Sequence, residues 1–242
     1  MTQPLVLIAA SGLAREVLAT VGDAGSHHAV AILDDSQALH GARIGGIEVA
    51  GGTDLAAQFG DAQFVVCAGA GSARRRIVDR LAAQGIGPTR FAAVVHPSAV
   101  VPASCVIGAG SVVLAHVTLT ANVSIGCHVV VMPHVVLTHD NQIDEFATIC
   151  AGVVLGGSVR VGASAYLGMN AAVRQDLRVG QASTLGMGSV LLSDLPDGQT
   201  WAGVPAIELV TRSGTADAAQ HHQQEGPSRS SDVNAMERTE AR

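Results

Sequence analysis

The chain has 242 residues, 48% of them hydrophobic but only 2% aromatic, and a formal net charge of −6. That length accommodates two domains, and the negative balance argues against grip on a nucleic-acid phosphate backbone. No apolar run reaches the length of a membrane span and the apolar N-terminus lacks a basic leader, so a soluble, cytoplasmic protein is expected.

Residues 4–10 read as a buried strand, Ser11 and Gly12 as a turn, and Ala14 to Val21 as a helix. A second strand over Ala29 to Leu33 ends at Asp34 and Asp35, and Ile44 to Val49 is a short strand in a Gly-rich stretch. Thr53 to Phe59 reads as a helix, Phe64 to Ala68 as a strand, and Ala73 to Gln84 as a helix after Gly69-Ala70-Gly71-Ser72. Alternating strands and helices predict a small parallel α/β sheet, about half a Rossmann fold. A strand followed by Ser11-Gly12 and a helix is a phosphate-cradle geometry, because N–H groups at a helix N-terminus attract anions. Asp34 and Asp35 fall where such folds place a ribose-binding acid. A purely structural glycine is the other reading of Gly12. Arg74, Arg75 and Arg76 read either as anion partners or as a solvated helix face.

Residues 88–100 lead into a region of unbroken six-residue period. Every sixth residue from Val101 to Leu191 is aliphatic, sixteen in all, with no slip of phase. Two residues earlier runs a second column of mostly small or β-branched residues, from Ala99 to Ser189. A period of six fits neither an α-helix nor a heptad and is the signature of a parallel β-helix, in which three hexads close one coil and stacked coils share a core. Residues 18 apart then stack about 4.8 Å from one another, and residues 102–191 make five coils. After Leu191 the pattern stops. Trp201 to Ala206 is a compact exit segment, and the polar chain from Ser213 reads as disordered. Cys67, Cys105, Cys127 and Cys150 lack CxxC spacing and read as buried free thiols, neither disulfides nor a zinc ribbon.

One hexad breaks the rule: Thr138-His139-Asp140-Asn141-Gln142-Ile143. Asn141 is the only amide in the second inward column, where an unpaired polar group costs about 1–3 kcal/mol. Sites that break local rules are where function is expected. Gly157 follows His139 by 18 residues and so stacks on it. A titratable imidazole beneath an unshielded N–H supplies a general base and an oxyanion donor, the two parts acyl transfer needs. Asp140 would orient the imidazole if the pair sits at a corner; the bland alternative is a surface His-Asp turn. His116, His128 and His134 share the third hexad position and read as a polar outer face. His134 with His139 and one further histidine leaves a zinc hydrolyase of γ-carbonic-anhydrase type as a remote alternative.

Taken together, Ala10-Ser11-Gly12 with Glu16-Val17, Asp34-Asp35, Gly69 with Arg74, His96-Pro97-Ser98-Ala99, His139-Asp140, Gly152, Gly156-Gly157, Leu167-Gly168-Met169-Asn170 and Gly203-Val204-Pro205-Ala206 resemble the sugar acetyltransferases of the PglD/NeuD type over about residues 4–207. The resemblance implies a small α/β nucleotide-sugar-binding domain over 1–90, a left-handed parallel β-helix acetyltransferase domain over 91–210 and a disordered tail over 211–242. It implies transfer of acetyl from acetyl-CoA, without a metal, to the amine of a nucleotide-linked 4-amino sugar for surface glycan synthesis, or in some members to a sialic acid or other sugar hydroxyl. His139 would be the base, Asp140 its partner, and Gly157 the donor facing the thioester oxygen. Ser11, Gly12, Leu13, Asp34, Asp35, Gly69 and Arg74 would hold the nucleotide sugar. Acetyl-CoA would lie past Gly157, Gly168, Asn170, Gly186 and Gly188 between subunits of a homotrimer.

The chain departs from that pattern at Ala9 and Leu13, where the family often has Gly and His, at Met132, where relatives carry Asn, and at Thr148, where some carry His. Leu13, Met132 and Thr148 motivate a second reading, a non-catalytic trimeric nucleotide-sugar-binding or partner-regulating protein.

Overall fold

The computed structural model describes residues 2–209, all within one compact unit. The expected tail over 211–242 lies outside the described residues.

The N-terminal part is a five-stranded sheet. Strand β1 (Gln3–Ile8) is followed by helix α1 (Gly12–Ala24), β2 (His27–Leu33), a hairpin of β3 (Arg43–Ile44) and β4 (Ile47–Gly51), β5 (Gln63–Val66) and helix α2 (Gly71–Ala83). The order is β3-β4-β2-β1-β5, parallel except for the β3–β4 hairpin. Thr53–Gln58 is a 3₁₀ turn rather than the expected helix. Helix α1 starts where Ser11 accepts a hydrogen bond from the Ala14 N–H and stops at Gly25, whose φ of 62° few other residues tolerate. Its stripe of Leu13, Ala14, Val17 and Val21 packs on Leu5, Leu7 and Ile32. Burial of each such aliphatic contributes about 1.5–3 kcal/mol.

From Val94 the chain coils into a triangular prism with three walls of two-residue strands, a left-handed parallel β-helix. Wall I stacks the strands beginning at Val106, Ser124, Gln142, Arg160 and Arg178. Wall II stacks those at Val94, Val112, Val130, Thr148, Tyr166, Thr184 and Thr200, and ends in Ile207–Glu208. Wall III stacks those at Thr118, Val136, Val154, Ala172 and Val190. Partners are 18 residues apart throughout, as in Ile125 with Ile143 and Leu137 with Leu155. At the exit the offset drops to 16, as in Leu185 with Trp201. The first wall strand lies inside the segment expected to be a crossover, since Val94 already pairs with Val112.

Both inward columns form one apolar core, with Val101 and Ile107 only half-buried at its open end. The corners are turned by single residues at positive φ spaced six apart, among them His116, Asn122, His128, His134, Asp140 and Phe146. They fall into three edges. Asn122, Asp140, Ser158 and Asp176 lie between walls III and I. His128, Phe146 and Ser164 lie between I and II, and His116, His134 and Asn170 between II and III.

The four cysteines are free thiols, but only Cys67 and Cys150 are buried; Cys127 is exposed and Cys105 half-buried, against the expectation of four buried thiols. Among the described residues no helix is long and apolar enough to cross a membrane.

Candidate active site

Asp140 turns its corner at a φ of 60°, which brings its carboxylate back onto the preceding side chain. The His139 Nδ1 lies 2.8 Å from Asp140 Oδ2. An ionised carboxylate only accepts, so Nδ1 carries the proton and Nε2 keeps its lone pair. The other carboxylate oxygen accepts from the Asn122 amide, one coil earlier on the same edge, at 3.2 Å. The hydrogen bonds from His139 first and Asn122 second hold the Asp140 carboxyl below the usual carboxylate range. His139 itself is largely exposed, at 63% of its side-chain surface. Its ring occupies the space a β-carbon on Gly157 would need, touching through Cε1 and Nε2. The Gly157 N–H has no acceptor among the described residues. Beneath the pair, Asn141 is fully buried; its Nδ2 donates to the Gly156 carbonyl at 2.8 Å and its Oδ1 has no partner.

A second polar region surrounds the turn after β1. Ala9 is held at a φ of 77°, a conformation that favours the glycine the family often has there. Ser11 donates to the Cys67 carbonyl at 2.5 Å, which ties the turn to the end of β5. Asp34 accepts from the N–H groups of Ala10 (2.7 Å) and Ser36 (2.8 Å). Asp35 accepts from the Thr53 N–H and hydroxyl and pairs with Arg80 at 2.9 Å. Desolvation opposes ionisation of Asp35, but those Thr53 and Arg80 contacts outweigh it and hold the carboxyl below its ordinary range. Both acids therefore brace the loops around a cleft of about 120 Å³ between Ala9, Asp34, Asp35 and Ile77. A larger cavity of about 420 Å³ adjoins it at Asp35, bordered by Gln37, His40 and Asp54. At the first turn of α1 the N–H groups of Gly12 and Leu13 find no acceptor among the described residues, which leaves them available to an anion.

Two residues expected at the nucleotide are elsewhere. The Leu13 side chain is buried in the core, so only its backbone faces the turn. Arg74 is wholly buried. Its Nε donates to the His128 carbonyl, one terminal nitrogen to Ala68 and Gly69, and the other to Phe146, Ala147 and the Thr148 hydroxyl, all at 2.8–3.0 Å. Burial draws its guanidinium down to about 10, so it stays charged. Its donors are spent on the loop after β5 at Ala68 and Gly69 and on the β-helix corner at His128 and Phe146 to Thr148, so Arg74 fastens the α/β part to the coils and has none left for substrate. The Gly69 carbonyl is likewise taken by Arg74 and Thr148, although the residue is exposed. Gly71 comes so close to the Phe146 carbonyl that any side chain there would collide with it.

His128 is also unlike the exposed corner it was expected to make. It is buried between Phe91, edge-on at 4.7 Å, and Phe146, stacked at 5.0 Å. Desolvation first, and the charge of Arg74 second, push its imidazole down to about 4. His116 and His134 are exposed and stack on each other at 5.0 Å. Among the described residues no three acidic, cysteine or histidine side chains come together around a metal position. The departures at Met132 and Thr148 have packing roles. Met132 lies against the α/β core and Thr148 bonds Arg74.

Gly168, Asn170, Gly186 and Gly188 run up the edge between walls II and III. A side chain at Gly168 would strike the Met187 backbone, and one at Gly186 would strike Ala202, whereas Gly188 is open. This strip and His139 lie on different edges of one chain, with wall III between them. The α/β part, through helix α1, covers the lower part of wall II, at Val94, Val112 and Val130, away from His139. One chain thus presents His139, the turn after β1 and the glycine strip on separate faces. The strands of wall III, which separates two of them, turn Thr118, Val136, Val154, Ala172 and Val190 outward.

The family described as the PglD N-terminal domain matches residues 4–81. The UDP-N-acetylbacillosamine N-acetyltransferase of Bacillus subtilis (strain 168) is 38% identical over 63 residues, which span 26% of this chain and 28% of that protein. The acetyltransferase domain of PglB from Neisseria gonorrhoeae FA1090, solved also in complex with acetyl coenzyme A, superposes with a TM-score of 0.78 at 31% identity, over 86% of this chain and 100% of that one. PerB from Caulobacter crescentus, in complex with CoA and GDP-perosamine, has a TM-score of 0.78 at 28% identity, over 86% of this chain and 98% of that one. In sequence and in fold alike, the chain belongs to the PglD-type family of sugar acetyltransferases.

Proposed function

We propose that this protein transfers the acetyl group of acetyl-CoA to the amine of a nucleotide-linked 4-amino sugar in the cytoplasm, for surface glycan synthesis. The observation that carries the reading is the His139 Nε2 lone pair, set by the 2.8 Å bond from Nδ1 to Asp140 and lying against Gly157. In the proposed step the sugar nitrogen attacks the thioester carbonyl and His139 Nε2 accepts its proton. The Gly157 N–H stabilises the oxyanion as it forms. When the carbon–sulfur bond breaks, the imidazolium returns the proton to the departing thiolate. A bound CoA and GDP-perosamine in PerB, and acetyl coenzyme A in PglB, support these substrate classes. Ser11, Gly12, the Leu13 N–H, Asp34 and Asp35 surround the proposed nucleotide cleft, and Gly168, Asn170, Gly186 and Gly188 line the proposed path of CoA.

The reading includes a homotrimer. Base, nucleotide turn and glycine strip face different ways on one chain, and wall III, whose strands turn only uncharged residues outward and expose Val154, suits a contact between copies that brings them together. The test is thiol release from acetyl-CoA with a panel of UDP- and GDP-linked 4-amino sugars, with mass spectrometry to separate N- from O-acetylated product. His139→Ala is expected to lower turnover by about 10²–10⁴; unchanged turnover would refute the mechanism. Light scattering is expected to give three times the chain mass, and a monomer that turns over at the full rate would refute the shared site.

A further inference from the structure

The proposed chemistry leaves the Asn141 amide unaccounted for. Asn141 is fully buried in the aliphatic core, and its Oδ1 has no hydrogen-bond partner. Valine occupies the same inward column one coil below and one coil above, at Val123 and Val159, and both are buried. An amide in that position is a net cost to packing unless its single bond matters. That bond runs from Nδ2 to the Gly156 carbonyl at 2.8 Å. The Gly156 carbonyl and the Gly157 N–H belong to one peptide unit, which is planar and trans, so the two dipoles point in opposite directions. Drawing the carbonyl inward toward Asn141 aims the N–H outward, to the side where the His139 ring lies. With glycine at both ends, this peptide has no β-carbon to fix its rotation. A hydrogen bond to the carbonyl also polarises the unit and strengthens its N–H as a donor.

We infer that Asn141 is a positioning residue: from inside the β-helix it fixes and polarises the Gly156–Gly157 peptide, so that the Gly157 N–H meets the oxyanion. The inference rests on the reading of Gly157 as oxyanion donor. The chain contains a second instance of the geometry. Ser111, in the same inward column, donates to the Gly126 carbonyl at 2.7 Å across the same interval of 15 residues. A serine at 141 is therefore able to supply the missing donor.

The test compares Asn141→Val with Asn141→Ser. The valine variant removes one orphan, Oδ1, and creates another, the Gly156 carbonyl, so its melting temperature is expected within about 3 °C of the parent. Its kcat is expected to fall about 10- to 100-fold with KM for the sugar nucleotide unchanged. Asn141→Ser is expected to recover most of that loss. A readout without substrate accompanies the kinetics. The sequence has three Gly-Gly pairs, at 45–46, 51–52 and 156–157, so glycine labelled with ¹³C at the carbonyl and ¹⁵N leaves three coupled amides. The Gly157 amide signal is expected to move in the valine variant and to return toward its parent position in the serine variant. An unmoved signal overturns the inference whatever happens to kcat. A moved signal with kcat unchanged overturns Gly157 as the oxyanion donor instead, and the catalytic role of Asn141 with it.

Discussion

The imidazole of His139 and residue 157 compete for one volume, and only glycine at 157 concedes it. Gly157→Ala is therefore expected to push the ring off Asp140 rather than to unfold the coil, because the ring is exposed and free to turn outward. A displacement of about 1 Å at a reacting group costs about 100-fold. The expected outcome is a loss of that size in kcat, with a melting temperature close to that of the parent. Steady-state kinetics and a melt check it, and an alanine variant at full rate would separate Gly157 from the chemistry.

Asp140 sets the tautomer of His139, and Asn122 sets Asp140. Replacing Asp140 with Asn is expected to lower kcat at least 10-fold, because the amide is able to donate to Nδ1 and so to hold the proton on the wrong nitrogen. Asn122→Ala removes only the 3.2 Å brace and is expected to lower kcat by a few-fold. The proton positions on His139 are read directly by ¹⁵N NMR, where the parent is expected to show Nδ1 protonated. Because Asp140 is held below the usual range, first by His139 and then by Asn122, it stays charged through mild acid. Its part in stability is present above its unfolded pKa and is lost only as the pH falls through the folded value.

Stability is expected to depend on pH through His128. Its folded pKa is about 4, depressed by desolvation and then by Arg74. The unfolded chain, with an ordinary value of about 6.5, takes up a proton first as the pH falls. The stabilisation is therefore complete above pH 6.5 and declines as the pH drops toward 4, by about 2 kcal/mol after allowance for solvent screening. His128→Phe, which extends the stack of Phe91 and Phe146, is expected to flatten that slope. Melting curves between pH 4.5 and 7.5 measure it; an equal slope in both proteins would assign the effect to other groups.

Arg74 and Arg75 are adjacent in sequence, yet their removal is expected to have different consequences. Arg74→Met leaves carbonyls of both parts of the chain without donors and is expected to cost about 3–5 kcal/mol, or about 10 °C in melting temperature. Arg75→Ala removes an exposed pair with Glu145 and is expected to cost less than about 1 kcal/mol. Neither residue touches the cleft at Asp35, so calorimetry with a nucleoside diphosphate is expected to give an unchanged affinity for Arg75→Ala.

The contrast shows what the sequence discloses and what it withholds. The period of six marks both inward columns, and stacking at 18 puts Gly157 over His139 and isolates Asn141. Each of these follows from local spacing, because a β-helix repeats its own contacts. Arg74 and His128 do not follow, since their burial depends on which edge of the prism α2 covers. By the period of six, His116, His128 and His134 are equivalent. By 18, His116 and His134 share one edge while His128 falls in line with Phe146, and that aromatic neighbour was the available hint that its edge is covered. The roles of Met132 and Thr148 were hidden for the same reason: each is a packing choice made between two parts of the chain that are distant in sequence.

The constant offset of 18 along the coils also restricts how this chain is able to change length. Removing or adding one residue between Val106 and Leu191 would turn every later aliphatic residue from the core to solvent. Whole coils are the natural unit of insertion or loss, because each contacts only its two neighbours. A coil added above Asp176 would leave His139, Asn141 and Gly157 in their present register, and would lengthen all three edges only at the C-terminal end. Variation in length among related proteins is therefore expected in steps of 18, concentrated toward the C-terminal end, with the coils from Asn122 to Gly157 kept intact.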